Sequence, residues 1–166
     1  MLRSALILIS TLGLLSGCAL DKEADLRLQL SQWVSLGDTY FFESSSSCTA
    51  AVFHTESPRI SSLIEPARSV DTGLNMLANG QPVVFKVGGK SPNTLVEAIM
   101  SRDLPHGISV LSSGLAGVNC MSELVKSIYH QAIMNPTSRM AFIPDGHAMM
   151  VVDAQAKALI YVRGNS

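Results

Sequence analysis

Three cysteines, four histidines and eight methionines are the residues of this 166-residue chain best suited to chemistry. His147, Met149 and Met150 fall close together, and imidazole with thioether sulfur is a ligand set that selects Cu(I). Alternate residues of a strand share a face, so His147 and Met149 could converge. No second ligand group stands at a matching spacing, however. The methionines at 76, 100, 121, 134, 140, 149 and 150 read more simply as core filling. No metal and no other cofactor is expected. His54, His106 and His130 are too scattered for a zinc motif. Gly88-Gly89-Lys90-Ser91 has the tail of a phosphate-binding loop, but the motif's earlier glycine is replaced by Val84. That segment reads as a turn. Arg102, Asp103 and Asp153 have no paired acid at useful spacing, so no glycosidase pair is available, and Lys126 and Tyr129 share a helix without an identifiable partner.

The start of the chain carries the most specific signal. Arg3 precedes an apolar run over residues 5–15, followed by Leu15-Ser16-Gly17-Cys18. A basic start, a short apolar stretch and small residues make a secretory signal. The run is shorter than the about 20 apolar residues that a membrane-spanning helix needs. Leu15-Ser16-Gly17-Cys18 resembles the lipobox of bacterial lipoproteins. That resemblance implies a diacylglyceryl group on the Cys18 thiol, cleavage just before it and acylation of the new amino group. Two or more acyl chains, at about 0.8 kcal/mol per buried methylene, suffice for stable attachment. In that family an aspartate after the cysteine favours retention in the inner membrane. Ala19 therefore implies the outer membrane, with the domain facing the periplasm. The expected organisation is a cleaved signal over 1–17, a lipidated tether over 18–25 and a single periplasmic domain over 26–166.

Residues 1–17 carry Arg3 and no acid, so their removal takes the formal charge from −1 to −2. Nucleic-acid binding rests on clustered Lys and Arg, so no nucleic-acid partner is expected. The expected partners are the membrane, through the lipid, and an envelope protein. With Cys18 taken by lipid, Cys48 and Cys120 remain in an oxidising compartment, where an even pair reads as a disulfide. Two unpaired buried thiols are the alternative.

A strand opening with Gly146-His147, and a second ending at Arg163-Gly164-Asn165, resemble the surroundings of the catalytic histidine in papain-like peptidases. The resemblance implies Cys48 as nucleophile, His147 as its base and Asn165 orienting the imidazole. That family places its cysteine at a helix N-terminus, which favours thiolate, whereas Cys48 opens a strand-like CTAAVF. The leading expectation is a non-enzymatic binding or structural protein, with a cysteine hydrolase as the alternative.

The elements that must position these residues read as α+β. A helix is expected from Asp25, stopped by Gly37. A hairpin follows, 39–43 and 48–53 around four serines, then a helix over 66–78 and a strand over 82–87. Ser91-Pro92 starts a helix to Arg102. Ile108, Leu111 and Leu115 suggest a further short helix, weakened by Gly107 and Gly114. Another runs over 121–134, with Leu124, Val125, Ile128 and Ala132 on one side. A C-terminal hairpin occupies about 139–163, and Gly146 is expected to supply a positive φ in its turn. The resulting architecture is an antiparallel sheet with several helices packed on one face.

Overall fold

The computed structural model describes residues 20–61 and 65–164. The signal segment, Cys18 and Asn165 lie outside the described residues. The fold is α+β: seven strands form one sheet in the order β1-β2-β7-β6-β5-β4-β3, antiparallel except for β3 with β4. The strands are β1 (Val34–Ser44), β2 (Cys48–Ile60), β3 (Pro66–Ala67), β4 (Val83–Phe85), β5 (Arg139–Ile143), β6 (Ala148–Asp153) and β7 (Ala158–Gly164). The helices are α1 (Glu23–Ser31), α2 (Val70–Ala78), α3 (Pro92–Met100), α4 (Leu104–Val118) and α5 (Glu123–Met134).

Alternation along the strands builds two cores. Ala50, Val52, Phe85, Met140, Phe142, Val151 and Val162 face one side, where Leu95, Ile99, Val110 and Val125 from α3, α4 and α5 cover them. Ala51, Phe53, Val84, Met150, Val152 and Tyr161 face the other, where α1 contributes Leu26 and Leu30. Several helices therefore share one face, while α1 sits opposite. Burial on both faces explains why β6 is a continuous apolar run rather than an alternating one.

Some elements differ from the sequence expectation. Helix α1 stops at Ser31, and Gly37 lies inside β1. Register shifts between Val34 and Phe41 are bulges that bend a long edge strand. The expected tether over 18–25 is shorter than its sequence suggested. Glu23 and Asp25 are already helical, with their charges favourable in the first turn. Pro66 and Ala67 are not helical but pair with Val84 and Phe85. The helix begins only after Ser69, whose hydroxyl accepts from the Thr72 N–H and so fixes the start. In the turn before β6 the positive φ falls on His147, at 44°, not on Gly146. Residues 144–146 form a 3-10 turn, closed by the His147 N–H donating to the Pro144 carbonyl.

Candidate binding groove

Cys48 and Cys120 are joined by a disulfide, with Cα atoms 5.9 Å apart. Cys48 opens β2 opposite Gly164 of β7, and Ala148, next to His147, stands opposite Arg163 on the other side of β7. Cys48 and His147 thus reach the same end of the sheet, separated by two strand spacings, roughly 10 Å. The Cys48 sulfur is bonded, and it sits on a strand rather than at a helix N-terminus. No thiolate exists there in this state. His147 is exposed, and it precedes a central strand rather than an edge strand. Met149 and Met150 enter opposite cores, so neither converges with His147. Met121 and Met140 are also buried, whereas Met134 is exposed. Among the described residues no cluster of three or more His, Cys, Asp or Glu is placed to hold a metal. The charged residues that the sequence singled out are occupied, Asp153 by the N–H groups of Gln155 and Ala156 that it accepts from. Arg102 pairs with Asp71, Asp103 with His106, and Lys126 with Glu123. The Asp103 carboxyl, which caps α4, is lowered below its ordinary value by the His106 N–H and side chain.

The site that the fold does build lies in the helical layer. Helix α4 packs on α3 and β7, and α5 packs on α3 and β6. Small residues set these distances. A Cβ on Gly107 would stand 2.5 Å from Met100 Cα, and one on Gly117 2.5 Å from Val162 Cβ. Both glycines let α4 lie flush against its supports. Between α4 and α5 an apolar groove of about 150 Å³ remains. Leu111 and Leu115 wall one side, Tyr129 and Ile133 the other, Met149 is the floor and Asn93 the polar lip. A Cβ on Gly114 would fall 2.6 Å from Tyr129 Oη, so that glycine keeps the groove open.

The Tyr129 ring is buried, and desolvation pushes its phenol well above the ordinary value. Its hydroxyl has no hydrogen-bond partner among the described residues. A neutral donor at an apolar groove suits an acceptor brought by a ligand, because the donor must keep a partner when the ligand shuts out water. An apolar cavity of this size admits a benzene-sized group. By contrast, Tyr161, in the opposite core, is pushed up to about 12 chiefly by burial, with the Asp21 charge adding to it.

Along the outer face of α4, Leu104, Ile108, Leu111 and Leu115 are all exposed. Their spacing of four, three and four residues makes one stripe on a helix. Helix α4 contains no Asp, Glu, Lys or Arg. Leu124, expected on the buried side of α5, is exposed as well, while Val125, Tyr129 and Ala132 are buried. The sequence did not single out this stripe as a surface. Its signal was present in the three glycines, which mark the side of α4 that touches its neighbours. Among the described residues no helix is long and apolar enough to cross a membrane. Comparison with family models, curated proteins and solved structures finds no match.

Proposed function

We propose that this chain is exported, cut before Cys18 and held by lipid on that cysteine. Its domain is then a non-enzymatic binding module of the cell envelope, facing the periplasm from the outer membrane. The observation that carries the binding role is the uncharged, exposed leucine stripe of α4 beside an open apolar groove. Contiguous exposed apolar surface of this kind marks an interaction site. Stripes at this spacing are how helices engage helices or grooves of a partner. The disulfide supports the compartment, since such bonds persist in oxidising environments. The occupant of the groove is an apolar or aromatic side chain of an envelope protein, with a carbonyl to accept from Tyr129.

A photo-crosslinking amino acid at Ile108 in living cells tests this reading. The expected result is an adduct with one envelope protein, reduced at least tenfold by Leu111→Asp. Position 111 is on the groove's outer wall, so the free energy of unfolding of that variant should stay within about 1 kcal/mol of the parent. Absence of any adduct, or hydrolysis of a peptide, ester or peptidoglycan fragment by the purified domain, would overturn it.

A further inference from the structure

We infer that the domain lies directly on the bilayer, standing on the end of the sheet that carries the Cys48–Cys120 bond. This rests on the lipid-anchor reading and adds to it an orientation. The described residues begin close to the anchor position. The Asp21 N–H donates to Ser44 Oγ, and its carboxylate accepts from Thr49 Oγ1 at 2.6 Å and from Arg163 at 3.0 Å. Asp21 is therefore fixed to β1, β2 and β7 at once, three residues after Cys18. Three residues reach roughly 10 Å even when fully extended. The headgroup layer takes up about half of that distance on its own. No freely swinging tether is left, and whatever surrounds Asp21 must rest against the headgroups.

The same end gathers the groups suited to that contact. The Ser44–Ser47 turn joins β1 to β2 there, and α4 ends there, with Gly117 against Val162. Helix α5 starts there just after Cys120, and exposes Leu124 in its first turn. Leu20, Leu115 and Leu124 are 52, 61 and 60% exposed. Among the nearby charges Arg163 pairs with Asp21 and Lys126 with Glu123, and the exposed Lys22 is offset in sign by the exposed Glu43, so no cluster of positive charge ties the contact to anionic lipid. The opposite end, where residues 154–157 turn β6 into β7, stands roughly 20 Å farther away, the length of β7. The α4 stripe ends at Leu115, close to Gly117 and Val162 at this end, which brings its partner in beside the membrane.

The test uses the full acylated protein, purified from membranes and reconstituted in phosphatidylethanolamine–phosphatidylglycerol vesicles whose acyl chains carry bromine, a short-range quencher. In a Trp33→Phe background, single tryptophans replace Ser46, Leu124 or Gln155, all exposed positions. Circular dichroism matching the parent shows that each variant folds. Ser46→Trp and Leu124→Trp should lose at least half of their emission, and Gln155→Trp none beyond error. Equal quenching at the three positions, or none at any, in protein whose mass shows the acyl chains overturns the orientation and leaves the anchor standing. A preparation whose mass shows no lipid overturns both.

Discussion

Replacing Cys48 and Cys120 together by alanine is expected to lower the free energy of unfolding by about 2–4 kcal/mol. The bond joins positions 72 residues apart. Closing a loop of that length removes enough entropy from the unfolded chain for about 4 kcal/mol in the loop-closure description. Both residues are also buried, Cys48 at 2% and Cys120 at 7% exposure, so lost packing acts in the same direction. For a domain of this size the loss corresponds to a melting temperature lower by about 5–15 °C. Urea unfolding of the parent, with and without reductant, should reproduce the effect without mutation. A change below about 1 kcal/mol would mean that the two sulfurs do not constrain the chain. A free Cys48, alkylated without reductant, would reopen the hydrolase reading.

Gly107→Ala should destabilise by about 1–3 kcal/mol, although alanine is the better helix former by about 1 kcal/mol. The added methyl would meet the backbone of α3, at 2.5 Å from Met100 Cα and 2.7 Å from Met100 N. Neither atom can rotate away, so α4 must shift from α3 and loosen the groove. Gly88 is the matched control. A Cβ there meets nothing within 4 Å and its φ is not positive. Gly88→Ala should be neutral, or stabilise by about 0.4–1 kcal/mol through a less free unfolded chain. Thermal melts of the two variants decide the sign. A more stable Gly107→Ala protein would contradict the close approach of α3 and α4.

These glycines also show where the sequence was readable and where it was not. Ser91-Pro92 and the C-terminal apolar runs are legible in the sequence, because caps and turns act locally: Ser91 accepts the expected backbone N–H, whereas the equivalent cap at Ser122 emerges only from the structure. The α+β class and the C-terminal hairpin followed from them. In the sequence, helix α4 looks like a short, weakened piece because glycine lowers helix propensity. It is the longest described helix, held by tertiary packing that glycine permits. Periodicity places large apolar residues inward, but here Gly107, Gly114 and Gly117 face inward, and Leu104, Ile108, Leu111 and Leu115 face out. The groove was hidden for the same reason. Its parts come from α3, α4, α5 and β6, and only the folded arrangement brings Asn93, Leu111, Tyr129 and Met149 together. Pro66 and Ala67 give no strand signal in the sequence because a two-residue strand has no periodicity of its own; its pairing with β4 exists only in the sheet.

Anchoring by lipid at position 18 is what the binding role and the membrane-facing end both require. Intact-mass measurement of the protein extracted by detergent from cell membranes reads it directly. The expected mass is that of residues 18–166, less two hydrogens for the disulfide, plus a diacylglyceryl group and a further acyl chain. Cys18→Ser should yield none of it. An unprocessed, unacylated chain beginning at Met1 and recovered without detergent would contradict the anchor, the compartment and the orientation together.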